Sequence, residues 1–316
     1  MTVSADSPKP PFLGSTRNRL ILLVAAVVLV LVGATALVIQ LRSDPSEPRR
    51  HTAAASTPTT SAPAPSPSPT PEPVPPAAPA PANLPVVDYG PAPRGFPADS
   101  TPAATEHLAK GLHPTSKTAG YDAPGGKPIA FLTPTIKGVT VTMPIVERKV
   151  GWTAVLLPSA NRTVAWVPPS NSWQEIDLHD QLIVVRKTHK LIWLRDGNLV
   201  QSWPVSLGLP KSPTPLGRTF VLGRSTLRGR VYGGLDVLAL GGVPDNPNSV
   251  PTGLRGAHIG IHTWYHDREL NKNTTDGCVR LTRSGHQRLL GEIAPGTSVV
   301  VIDAVGPADS PALQRA

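Results

Sequence analysis

Apolar residues fall along this chain in three regimes. Leu20 to Leu41 is an unbroken uncharged run of Leu, Val, Ala and Ile between Arg19 and Arg42. At about 1.5 Å rise per residue, a helix of that length crosses a hydrocarbon layer of about 30 Å, so the run predicts a membrane anchor or signal segment. Apolar residues past the small-residue stretch Ala34-Thr35-Ala36 favour an uncleaved anchor over a signal. Large apolar residues then nearly vanish until Gly111. Beyond it, short apolar runs recur between Pro, Gly and Asn at Ile129–Leu132, Val139–Val146, Trp152–Leu157 and Val164–Val167. This spacing predicts short strands closing a small barrel.

A second set of strands is predicted at Gln181–Val185, Lys190–Leu194 and Leu199–Val205. Thr188-His189-Lys190 and Asp196-Gly197-Asn198 supply the turns, the second being a strong hairpin signal. Further strands are expected around Thr219–Leu222, Leu235–Leu240 and Ala257–Thr263. The period then changes: Leu289, Leu290 and Ile293 share one face of a short helix that Thr282 can cap and Pro295-Gly296 ends. Ser298–Ile302 is the last predicted strand. The chain past Arg42 is expected to be mostly β, with one or two short helices.

Composition changes the picture in the second regime. Residues 42–108 hold much of the chain's 39 prolines among Ala, Ser and Thr. Such a stretch buries too little apolar surface to offset its ordering entropy, so it reads as a disordered, extended spacer. A net charge of +9 suits an anionic partner, but no basic patch interleaved with aromatic residues appears, which argues against nucleic acid. Lys9, Arg17 and Arg19 before the apolar run are matched by Arg42, Arg49 and Arg50 after it, so charge does not set its orientation.

Candidate chemistry centres on Cys278, the single cysteine, with His262 upstream. A free thiol titrates at about 8.5, and an adjacent imidazole is the usual way to raise its thiolate fraction. Gly277 lets the backbone approach a substrate, so the amides of Gly277 and Cys278 are candidate oxyanion donors. The plain alternative is a small buried cysteine with no chemistry. A zinc reading uses His258, His262 and His266, whose i, i+4, i+8 spacing would align them on a helix; the surrounding Ile259, Gly260, Ile261 and Thr263 favour a strand instead. No metal and no cofactor is therefore expected. On a strand, His258 points the same way as His262 and borders the site.

Ile259-Gly260-Ile261-His262, followed by Thr275-Asp276-Gly277-Cys278-Val279-Arg280-Leu281, resembles the signature of the L,D-transpeptidase catalytic domain family, and Pro213-Thr214-Pro215-Leu216-Gly217 is similar to its Thr-Pro-x-Gly segment. Two departures stand out. Thr263 follows the histidine where glycine is frequent, and Asp276 replaces a frequent histidine. The resemblance implies a β-sandwich with Cys278 as nucleophile and His262 as base, the imidazole being oriented by the Thr263 carbonyl. It further implies Arg280 as a carboxylate clamp or loop brace, and Thr275 as a nearby donor.

The implied activity is 3→3 cross-linking of peptidoglycan: a cysteine thioester forms, D-Ala leaves a tetrapeptide stem, and a diamino-acid amine on a second stem accepts the acyl group. Carbapenems are the implied inhibitors. That substrate would place residues 1–19 in the cytoplasm, 20–41 in the cell membrane as a single-pass anchor, and the rest outside. Rival readings are an L,D-carboxypeptidase and a non-catalytic wall-binding protein. Gly151 to Pro158 with Ala165-Trp166-Val167 resembles, more loosely, the bacterial SH3-like barrels that precede some such domains. The expected division is a spacer at 42–108, an SH3-like domain at 109–177, a catalytic domain at 178–304 and a tail at 305–316.

Overall fold

The computed structural model describes residues 72–88, 90, 92–159, 162–225, 232–241, 259–264 and 266–316. The expected cytoplasmic tail, the apolar run 20–41, the first part of the spacer and His258 lie outside the described residues. Among the described residues no helix is long and apolar enough to cross a membrane.

The first nine strands are β1 (Lys110–Pro114), β2 (Thr118–Tyr121), β3 (Pro128–Leu132), β4 (Thr135–Ile136), β5 (Val139–Thr140), β6 (Met143–Lys149), β7 (Trp152–Leu156), β8 (Val164–Val167) and β9 (Trp173–Asp177). Seven of them form an antiparallel sheet in the order β3-β2-β8-β7-β6-β1-β9, while β4 and β5 pair separately. The expected small closed barrel is thus a seven-stranded sheet, and no pairing joins its edges β3 and β9 among the described residues. β9, with the sequence WQEID and no fully buried position, carries no apolar run to announce it.

The spacer expectation also needs correcting. From residue 72 onward the Pro-rich chain is packed: Val87, Ala92 and Phe96 are buried in the core of the first sheet beside Leu112, Met143 and Leu156. The Val87 amide donates to the Phe131 carbonyl, and the Phe131 amide to that of Pro85. Isolated large apolar residues in an extended chain can each fill one core position without any periodic signal.

The second group comprises β10 (Asp180–Val185), β11 (Lys190–Arg195), β12 (Asn198–Pro204), β13 (Leu207–Gly208), β14 (Gly217–Ser225), β15 (Val237–Leu240), β16 (Gly260–Thr263), β17 (Asn273–Thr275), β18 (Val279–Leu281) and β19 (Ser298–Ile302). Helices α1 (Arg283–Glu292) and α2 (Pro311–Gln314) complete it. Eight strands make one sheet, β12-β11-β10-β19-β14-β15-β16-β18, in which the pairs β10–β19 and β16–β18 are parallel. Asp196 and Gly197, at φ 48° and 74°, turn the β11–β12 hairpin in the left-handed region, which Gly tolerates and Asp visits more readily than most residues.

One face of this sheet packs Leu182, Val184, Trp193, Ile261, Val279 and Val299 against Leu289, Leu290 and Ile293 of α1. The Thr282 hydroxyl caps that helix by accepting from the Gly285 amide at 3.1 Å. The other face buries Ile183, Val185, Ile192 and Val300 under Ala312 and Leu313 of α2, within the stretch expected to be a tail.

β14 joins the two sheets. Val221 belongs to the α1-side core, whereas its neighbours Phe220 and Leu222 insert into the core of the first sheet. The alternation of a strand thus supplies both cores at once. Beside them the Arg218 guanidinium grips Asp99 through two bonds of 2.7 Å, and both side chains are buried, at 6% and 2% exposure. A bidentate fork of this kind satisfies both charges away from water.

Candidate active site

The parallel pair β16–β18 sets His262 opposite Arg280, with Ile261 opposite Val279 and Thr263 opposite Leu281. Ile261, Val279 and Leu281 point into the α1-side core. Pleating therefore turns His262, Arg280 and Cys278, two residues before Arg280, toward the opposite face. Ser206 closes the outer edge: its amide donates to the Arg280 carbonyl at 2.8 Å and its carbonyl accepts from the Arg280 amide at 3.0 Å. The strand at Gly260–Thr263 removes the helical face on which a three-histidine zinc site would depend.

His262 is 4% exposed, and its Nδ1 lies 2.7 Å from the Thr263 carbonyl oxygen. A carbonyl only accepts, so Nδ1 carries the proton and Nε2 is left with a lone pair. Burial pulls the pKa of the imidazole down to about 4; the Thr263 carbonyl resists this, and the nearby positive charge of Arg280 adds to it. The ring meets Tyr232 edge-on, with centroids 4.9 Å apart, and Trp264 lies at 6.3 Å.

Cys278 is half-buried. Burial pushes its thiol above the usual range, the Gly260 backbone and Arg280 pull it back, and Asp276 pushes it up again. At neutral pH the resting pair is therefore a neutral imidazole and a protonated thiol. For such a pair to act as nucleophile and base, proton transfer would have to accompany attack rather than precede it.

Arg280 is both a brace and a charge. Its guanidinium lies 3.8 Å over the centroid of the Trp264 ring, within cation–π range, and Nη1 reaches the Thr274 carbonyl at 3.5 Å. Its Nε is buried without a hydrogen-bond partner. Burial lowers the guanidinium pKa, partly countered by Cys278, Asp276 and Glu269.

Thr275 takes a different part from the expected substrate donor. Its hydroxyl donates to the Cys278 carbonyl at 2.7 Å and accepts from the Gly277 amide at 3.1 Å. The side chain staples the turn before Cys278 and occupies the Gly277 amide, which is therefore not a free donor in this conformation. Gly277 itself has φ 109°, and a Cβ there would sit 3.0 Å from Ile259 Cδ1, so the turn requires glycine.

The Pro213–Gly217 segment supports the same turn from behind. The buried Thr214 hydroxyl accepts from the Gly208 amide at 2.9 Å, and the Leu209 amide donates to the Thr275 carbonyl at 2.8 Å. Asp276 is exposed and reached by the Ser212 hydroxyl at 3.4 Å.

Residues 180–301 match the L,D-transpeptidase catalytic domain, YkuD. This YkuD region runs from β10 to β19 and contains His262, Gly277, Cys278 and Arg280. No curated protein sequence matches the chain. Solved structures similar to it include the LD transpeptidase LdtMt1 in complex with imipenem, at 14% identity over 72% of this chain and 99% of that one, TM-score 0.33. An L,D-transpeptidase from Mycobacterium smegmatis is 14% identical over 69% of this chain and 95% of that one, TM-score 0.31. The catalytic domain of an E. faecium L,D-transpeptidase is 17% identical over 39% and 96%, TM-score 0.28.

Residues that sequence reasoning left without a role also surround the YkuD site. Tyr232 comes to His262 from before β15, and Trp264 carries the Arg280 guanidinium. Ser206 edges β18. His286 of α1 is fully buried, its Nε2 donating to the Asp236 carbonyl at 2.7 Å, and it adds to the depression of His262. Only Trp264 lay close enough to the motif to be noticed.

Proposed function

We propose that the YkuD region is a cysteine-dependent peptidoglycan L,D-transpeptidase that forms 3→3 cross-links. The observation that carries this reading is the shared sheet face of His262 and Cys278, with Nδ1 tied to the Thr263 carbonyl and the Nε2 lone pair left to take a proton. Cys278 attacks the carbonyl of the third, diamino-acid residue of a tetrapeptide stem while His262 removes the thiol proton. The Cys278 amide serves as oxyanion donor, joined by that of Gly277 once Thr275 releases it.

Collapse of the tetrahedral intermediate breaks the amide bond, and His262 returns the proton to the departing amine of D-Ala. A thioester remains. The side-chain amine of the third residue on a neighbouring stem then attacks it, giving the cross-link and restoring the thiol. Arg280 stabilises the developing thiolate, and its guanidinium is the candidate clamp for a stem carboxylate.

The uncharged run 20–41 supports a cell-membrane anchor with the YkuD region outside, where this substrate lies. The loosely SH3-like pattern of the first sheet supports a brace or wall-binding role for it. Carbapenems are expected to acylate Cys278, since their strained ring amide offers the same electrophile to the thiol.

The test is incubation of the full chain with a purified tetrapeptide muropeptide, followed by mass spectrometry. Loss of D-Ala, a mass adduct on Cys278 and cross-linked dimers are expected. Trimmed monomers without dimers would instead indicate hydrolysis of the thioester, and turnover that survives Cys278→Ala would overturn the assignment.

A further inference from the structure

A cleft of about 460 Å³ opens on the YkuD region, and neither Cys278 nor His262 lines it. That volume is in the range of small-molecule sites. Leu207, Pro210 and Pro213 give it apolar walls, while Arg186, Lys187 and His189, from the turn between β10 and β11, bring basic side chains to it. Asp303 is the one acid in the lining, and it is already engaged by Arg186 Nε at 3.5 Å. His189 Nε2 lies 3.0 Å from Asn273 Oδ1, an acceptor, so that ring nitrogen carries its proton and the imidazole is fixed across the cleft.

The excess of positive charge extends beyond the lining. Lys211 follows Pro210 and Lys272 precedes Asn273, and both are exposed. Lys187 is exposed as well, and its amide donates to the Asp303 carbonyl at 2.9 Å. A smaller cleft of about 170 Å³ beside Arg218 offers no such imbalance, because Asp99 already neutralises that guanidinium.

We infer that the larger cleft is a binding site for an oxyanion-bearing ligand, with its carbon skeleton against the Leu207 and proline walls and its carboxylate or phosphate on Lys187 and Arg186. Such chemistry occurs on a peptide carboxylate and on a phosphate-bearing polymer. The site does not depend on the reaction proposed for Cys278. It does adjoin the nucleophile turn, since the Leu209 amide within the cleft's loop holds the Thr275 carbonyl.

Isothermal titration of the full chain with inorganic phosphate and, separately, with N-acetyl-D-glutamate tests this. Saturable binding that weakens with added salt is expected for at least one probe. The probe that binds identifies the source, and binding of both supports the shared chemistry. Reversing one charge beside the anion removes an attraction and adds a repulsion, so Lys187→Glu should weaken binding by about tenfold or more. Lys127→Glu, on the β2–β3 turn, makes the same change in net charge and should leave binding within about twofold of the parent. Circular dichroism should show both variants folded. The inference fails if neither probe binds saturably, or if the two variants weaken binding equally. Activity of Cys278 plays no part in this readout, so the two readings can fail separately.

Discussion

Two parallel strand pairs lie in the same eight-stranded sheet and serve opposite ends. In β10–β19 both faces are apolar: Leu182 and Val184 fill the α1-side core, Ile183 and Val185 the core under α2, and none of the four is more than 1% exposed. In β16–β18 only the α1-facing side is apolar, through Ile261, Val279 and Leu281. The other side presents His262, Cys278 and Arg280. The backbone pairing is the same type in both; the difference is that one face of β16–β18 carries polar side chains, His262 among them buried at 4% exposure. The anchored face then holds the reactive one in register.

The largest effect expected from breaking this contrast is on turnover. Cys278→Ala should abolish D-Ala release while leaving the thermal unfolding midpoint nearly unchanged, because the half-buried side chain contributes little packing. On the fully apolar pair the outcome reverses. Leu182→Ala should cost about 2–5 kcal/mol, read by denaturant unfolding of the full chain, through lost burial and a cavity that the sheet cannot close.

Acid should strike the reactive pair selectively. The folded pKa of His262 lies at about 4, below its ordinary 6.5, so the unfolded chain binds the proton more readily. Stability is unaffected above pH 6.5. It falls as pH drops toward 4, by an amount on the order of 3 kcal/mol from this residue, and levels off below. His262→Gln should flatten that part of the stability–pH curve, and an unchanged slope would contradict the assignment of cause.

Smaller effects should resolve the surroundings of the thiol. Arg280→Lys keeps the charge but loses the planar stack on Trp264 and the fork, so kcat/KM should fall by about tenfold, with unfolding little changed. Asp276→Asn removes a charge that pushes the thiol up. Iodoacetamide should therefore label Cys278 somewhat faster in that variant at pH 8, whereas the parent should label more slowly than a free cysteine.

Much of this contrast was legible in the sequence. Gln181–Val185 and Ser298–Ile302 read as strands because Val, Ile and Leu dominate these short runs; the burial of both faces is what the structure adds. The Thr282 cap and the spacing of Leu289, Leu290 and Ile293 placed α1. Cys278 and His262 stood out through local motif, and His262 Nδ1 bonds the Thr263 carbonyl, the partner that the resemblance implies.

What was hidden depends on distance in the chain or on single residues. Tyr232 reaches His262 only through folding, and no periodicity marks it. The occupation of the Gly277 amide by Thr275 is a matter of one hydroxyl's rotamer. Packing of Val87 and Phe96 was concealed by the prolines and alanines around them, which lower the average hydrophobicity of any window. β18, three residues long, was absorbed into the motif that contains it.

The grip of Asp99 on Arg218 carries a practical lesson about where the chain can be shortened. Trimming to the first apolar strand, near Gly111, looks harmless from composition, yet it would strand a guanidinium inside protein with nothing opposite it. Loss of one member of such a buried couple typically costs about 3–5 kcal/mol. A shortened chain prepared that way should precipitate or melt early, whereas one that keeps the proline-rich stretch from residue 72 should behave like its parent.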